Sequence, residues 1–144
     1  MKYPKGIDGK LDRVFSQLVR ERSDWTCERC GAEFPERKGS GLHASHFWGR
    51  SRRSTRWYGW NVFAHCCGCH RYLSRHPVEF NAWVQEQMHD DRFNDLTLRA
   101  NSVHKYTKSD KEEMLVHLKA QLDYIRRRRA EKGETGYIDF VDWD

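Results

Sequence analysis

The chain has 144 residues, a formal net charge of +5, 33% charged residues and a mean hydropathy of −0.97. That size predicts one domain with a thin core, much of whose apolar area comes from six Trp, seven Phe and six Tyr. No apolar run approaches the ~20 residues of a membrane span and the N-terminus lacks a signal peptide's apolar segment, so a soluble cytoplasmic protein with no membrane partner is expected.

In chain order, "LDRVFSQLVRER" (11–22) places Leu11, Val14, Phe15, Leu18 and Val19 on one helical face. "TCERCGAEF" reads as a metal-binding knuckle that turns at Gly31. Residues 42–48 read as a strand, and 61–65 as a second strand or extended turn. A short helix is expected from Cys69 to Arg75, ended by Pro77, and another over 78–88 with Phe80, Trp83, Val84 and Met88 inward. Residues 89–107 read as a polar connector with at most one irregular helical turn. The last helix is capped by Ser109, has Glu112 three residues on, and carries a stripe of Leu115, Leu118, Leu122 and Ile125. These elements make residues 1–132 one α+β domain, followed by an acidic tail, 133–144, expected to be mobile or to strap across the surface.

Cys27-x-x-Cys30 and Cys66-x-x-Cys69 are two bidentate hooks separated by 35 residues. In a reducing compartment such pairs read as metal ligands rather than disulfides, and four thiolates on two hooks predict a tetrahedral structural zinc. Cys67, inside the second hook, points away when its neighbours ligate, so it reads as a bystander.

Between Glu36 and Glu79 there is no acid, while Arg37, Lys38, Arg50, Arg52, Arg53, Arg56, Arg71 and Arg75 alternate with aromatic residues. A one-sign block of this kind predicts a polyanion partner, most simply nucleic acid. Arg126 to Arg129 either extend that surface or serve the helix dipole, and Trp48 or Trp57 either wedges into DNA or packs in the core. His65 and His76 are assigned no role; His89, His104 and His117 are expected at solvent.

"CERCG", "SHF", Arg50, "TRW", Asn61 five residues before Cys66, "CCGCH" and "HKYTKSDKEE" together resemble the HNH, or ββα-metal, nucleases. Within them the chain is most similar to the phage NinG (Rap) recombination family, and more distantly to phage endonuclease VII. The resemblance runs from about residue 13 to residue 130. It implies a ββα-metal centre stapled by the four-cysteine site and flanked by helices. It also implies a metal-dependent DNA endonuclease acting on branched DNA such as Holliday junctions, in a host cytoplasm if phage-encoded, with a homodimer suited to two cuts.

By the same resemblance His46 is the general base, Asn61 braces the loop and orients it, and His70 holds a catalytic divalent ion. Ser45 stands where endonuclease VII-type relatives carry an acid. His43, two residues earlier on the same strand face, is therefore expected as the second ligand, with Ser45 contributing through water and Glu79 as a late ligand. This nitrogen-rich set favours Mn2+, Ni2+ or Zn2+, with Mg2+ carrying several waters as the alternative. Arg50, Arg52, Arg53 and Arg56 are the expected DNA contacts. The rival expectation is a non-catalytic zinc module that binds nucleic acid.

Overall fold

The computed structural model describes residues 3–144. It is a mixed α+β arrangement: a two-stranded sheet packs one face on a long first helix, the long last helix lies against that first helix, and three shorter helices cover the sheet's other face. Among the described residues no helix is long and apolar enough to cross a membrane.

Helix α1 (Ile7–Arg22) begins a turn earlier than its apolar stripe requires, after Gly6 at φ 80°. Its face of Leu11, Phe15, Leu18 and Val19 is fully buried. Strands β1 (Leu42–His46) and β2 (Val62–Cys66) pair antiparallel, with His43 opposite His65 and His46 opposite Val62. Alternation puts Leu42, Ala44, Val62 and Ala64 against α1, and Phe63 against the shorter helices. β1 stops at His46, two residues short of the expected end, because the Asn61 side chain then takes over Trp48's main-chain hydrogen bonds.

Between the strands lie the short helix α2 (Arg53–Arg56) and a 3-10 turn, Gly59–Asn61. β2 runs directly into α3 (Cys67–Arg75), and α4 (Pro77–Glu86) follows with Pro77 at its start, where a missing N–H costs nothing. Phe80 and Val84 of α4 are buried, Trp83 is half-buried, and Met88 lies beyond the helix end.

The expected connector is instead an eleven-residue helix, α5 (Asp90–Ala100). Its only buried side chains are Leu96 and Ala100, so it has too narrow an apolar stripe to announce itself. Asp90 and Asp91 in its first turn and Arg99 in its last suit the helix dipole. Helix α6 (Lys108–Lys132) starts at Thr107, which exchanges capping-box bonds with Asp110 in place of the expected Ser109–Glu112 pair. Its buried stripe is Met114, Leu118, Leu122 and Ile125; Leu115 is only half-buried. Gly133 ends it in the left-handed region at φ 64°.

The tail is a strap. Ile138 N–H donates to Arg22 O, Gly59 N–H donates to Asp142 Oδ1, and Asp144 pairs with Arg99. Ile138 and Phe140 enter the main core, with the Phe140 ring edge-on to Phe15 at 5.8 Å. His117, expected at solvent, donates from Nε2 to the strap's Val141 O at 2.7 Å. Phe140→Ala should therefore cost about 3 kcal/mol of stability. The check is the denaturant midpoint at unchanged m-value; no shift would mean that the strap is undocked in solution.

The arginines ending α6 are not a free basic surface. Arg129 lies 3.8 Å from Glu21 and 3.5 Å from Asp24, Arg127 pairs with Asp123, Arg128 with Glu134, and Arg126 stands 4.0 Å from Glu21. Arg37 completes this network with Glu21 and Asp24. The cluster welds α6 to the end of α1.

Candidate functional site

Cys27 and Cys30 sit on a loop that turns back at Gly31, and Cys66 and Cys69 sit at the junction of β2 and α3. The four sulfurs all lie within 4.8 Å of one another, with Cys30 Sγ 3.7 Å from Cys66 Sγ. Among the described residues this is the only cluster of three or more such donors placed to hold a metal ion. Cys69 N–H points at Cys66 Sγ at 3.4 Å, and Arg29 Nη1 lies 3.5 Å from Cys69 Sγ. Burial pushes the Cys69 thiol up, so four converging sulfurs need a cation if they are to be thiolates. Cys67 is exposed and outside the group, its sulfur 3.8 Å from Arg71.

The first knuckle is tied to the sheet by Glu28. Its N–H donates to Ala64 O, and its carboxylate accepts from Ala64 N–H, so it fills the outer edge of β2. The four-cysteine group is thereby linked to the strand that follows Asn61's turn.

His46 ends β1 and lines a cleft of about 270 Å³ with Asp12, Phe15, Ala44, Arg50 and His70. Its Nε2 lies 2.9 Å from Arg56 O. A carbonyl only accepts, so Nε2 carries the proton and Nδ1 keeps its lone pair. Burial lowers the imidazole to about 4, with the nearby Arg50 charge pushing the same way, so His46 is neutral at pH 7. In the unfolded chain it would protonate near 6.5. Its contribution to stability is thus fully present above pH 6.5 and is lost as the pH falls toward 4.

Asn61 is fully buried and braces the loop after His46. Its Oδ1 accepts from Trp48 N–H at 2.8 Å, and its Nδ2 donates to Trp48 O and Thr55 O at 2.9 and 3.0 Å. Its own carbonyl accepts from Phe47 N–H. The β1–α2 connection therefore has one geometry.

His43 and His70 are brought together, Nδ1 to Nδ1 at 2.9 Å with rings nearly perpendicular. His43 Nε2 donates to Ser40 O at 2.7 Å, which leaves its Nδ1 lone pair aimed at His70. Burial, then the neighbouring His43, lowers the His70 imidazole, which favours its neutral form. Ser45 does not join them: it is fully buried opposite Phe63 and its hydroxyl has no partner among the described residues. Glu79 is held by the Tyr72 hydroxyl at 2.6 Å on the exposed side of α3 and α4.

The four arginines divide. Arg50 lines the cleft, and Arg53 is exposed with no hydrogen bond or ion pair among the described residues. Arg52 is partly committed, donating to Ala100 O and Asn101 Oδ1 and lying over the Trp48 ring at 4.6 Å. Arg56 is fully committed: Nε and Nη2 grip the two oxygens of Asp12 at 3.0 and 2.6 Å, with its side chain 14% exposed. It belongs to the scaffold, not to a surface for a ligand. Trp57 is likewise core, donating from Nε1 to Asp12.

The residue that sequence reasoning missed is Asp12. An acid on an amphipathic helix reads as solvent-facing, yet here it is buried at the cleft wall. Its position one residue past Leu11, on the margin of the apolar stripe, was the available signal. The chain matches no family model, no curated protein and no solved structure.

Proposed function

We propose that the protein is a metal-dependent DNA endonuclease of the HNH type, hydrolysing phosphodiesters to 5′-phosphate and 3′-hydroxyl ends. The observation that carries this reading is the state of His46: neutral, proton fixed on Nε2 by Arg56 O, and Nδ1 free beside a cleft that Arg50 and His70 also line. A base so held can take a proton from water attacking phosphorus while Arg50 draws in the phosphate. β1 with His46 at its end, β2 with Asn61 just before its start, and α3 with His70 are read as the ββα-metal unit.

Zinc is the structural ion we assign to the four cysteines. Sulfurs about 2.3 Å from a tetrahedral centre stand about 3.8 Å apart, close to the Cys30–Cys66 separation of 3.7 Å. The His43–His70 pair fits a second cation: two imidazole nitrogens each about 2.0–2.1 Å from one ion at a right angle are about 2.9 Å apart. Ser40 O, by fixing the His43 tautomer, is the outer support such a ligand needs. With no carboxylate on the pair, Mn2+, Ni2+ or Zn2+ suits it better than Mg2+. When bound, the cation supplies positive charge for the scissile phosphate and the leaving 3′ oxygen.

The substrate we propose is branched DNA, with two copies of the chain acting on one junction. The second reading, a zinc module that binds nucleic acid without cutting it, is favoured by one observation: Asp12, the acid at the cleft, is already neutralised by Arg56. Plasmid nicking with and without divalent ions separates the two.

Two further results are expected. Binding should weaken with salt, and Arg50→Ala with Arg53→Ala should reduce the log K versus log salt slope by about two, since each neutralised phosphate contributes about 0.9. An unchanged slope would remove both from the DNA footprint. The His46 ring should titrate near pH 4 in the free protein and move upward when DNA binds, because a phosphate stabilises the imidazolium. Ring NMR signals followed against pH test this, and a midpoint of 6.5 in free protein would show that His46 is solvated rather than enclosed.

A further inference from the structure

We infer that Asp12 is the positioning residue for His46, acting through Arg56; the inference rests on the nuclease reading for its catalytic consequence. Arg56 is the last residue of α2, so its carbonyl is one of the acceptors a helix end leaves unfilled. That carbonyl accepts the His46 Nε2 proton and so decides which nitrogen of the ring is left to act as base. Asp12 holds the Arg56 side chain and the Trp57 indole, the two residues that flank that carbonyl.

The grip is complete. Asp12 Oδ1 accepts from Arg56 Nε at 3.0 Å and from Trp57 Nε1 at 2.9 Å, while Oδ2 accepts from Arg56 Nη2 at 2.6 Å. The carboxylate thus fixes two consecutive residues at the end of α2 from a helix 44 positions earlier. Its side chain is 4% exposed, so these bonds are made in a low-dielectric setting where a bidentate charged pair is strong and directional. Oδ2 also stands 3.5 Å from Arg50 Nη1, so the same acid steadies the cleft's arginine, which remains 40% exposed.

The test uses the full-length, zinc-loaded protein and the variant Asp12→Asn, which keeps the size but removes the charge and one acceptor. Long-range proton–nitrogen NMR of the His46 ring at neutral pH, with no second cation added, should show a single Nε2–H tautomer in the parent and a mixture in Asp12→Asn. Single-turnover cleavage should fall about 10- to 100-fold in the variant, because a base whose ring is misplaced loses its near-attack geometry. DNA affinity of the zinc-loaded proteins, measured with no further divalent ion added, should stay within about threefold of the parent or tighten, since Arg50 is released rather than removed.

Because Arg56 would be left as a buried unpaired charge, the double variant Asp12→Asn/Arg56→Met provides a folded comparison if the single one does not fold. It should show the same mixed tautomer. A folded variant of either kind that keeps the single Nε2–H tautomer overturns the inference, whatever its cleavage rate. If the parent cuts no DNA with any divalent ion but the tautomer mixes as expected, the nuclease reading fails and the positioning role stands.

Discussion

Cys27→Ser and Cys69→Ser should each leave the chain largely unfolded or insoluble, and a strong zinc chelator should do the same to the parent. The reason is the scale of the terms. A structural zinc is worth on the order of 10 kcal/mol of folding free energy, comparable with the whole stability of a small domain. The apolar core divides into a main cluster around α1 and α6 and a smaller aromatic one under α3, α4 and α5. The four-cysteine group sits where the first knuckle, β2 and α3 meet. Without the ion, two buried thiols and two converging neighbours would have to stay together unaided. Cys67→Ser should be nearly silent, because that sulfur is exposed and faces Arg71. Circular dichroism with zinc stoichiometry reads both outcomes; zinc lost from Cys67→Ser alone would refute the ligand set.

The second large effect falls on the histidines. His46→Ala should keep the zinc and DNA affinity yet lose cleavage by about 10² to 10⁴, the usual share of a general base. His43→Ala and His70→Ala should also lose cleavage, but excess Mn2+ should partly restore it, since each leaves one imidazole of the pair in place. Excess metal should not restore His46→Ala, because a cation at the pair does not replace a proton acceptor in the cleft. Single-turnover rates against Mn2+ concentration distinguish the cases. Equal rescue of all three would place His46 among the metal ligands instead.

The local parts of this site were readable because they depend on spacing. Two cysteines three apart chelate from one turn, alternate residues share a strand face, and an apolar stripe at helical period marks a buried helix. The parts that were not readable are pairings across the fold. Nothing in "SRRSTRW" says that Arg56 is claimed by Asp12 while Arg53 is left free. Nor does "IRRRR" reveal that Arg129 is met by Glu21 and Asp24. Charge counts treat every arginine alike, and partner geometry is what sorts them. Helix α5 was hidden for a different reason: it buries only Leu96 and Ala100, and pattern reading needs a stripe. The strap's signal was present, since Ile138 and Phe140 alternate with Asp139, but the acids around them masked it.

The measurement that bears most directly on the account is nicking of supercoiled plasmid by the zinc-loaded parent, with Mn2+, Ni2+ or Mg2+ added or withheld, beside His46→Ala. The account predicts divalent-dependent conversion to open circles bearing 5′-phosphate and 3′-hydroxyl ends, strongest with Mn2+ or Ni2+, and loss of nearly all of it in His46→Ala at unchanged DNA affinity. A parent that binds the plasmid and leaves it intact with every ion, or a His46→Ala variant that nicks as fast as the parent, would contradict it.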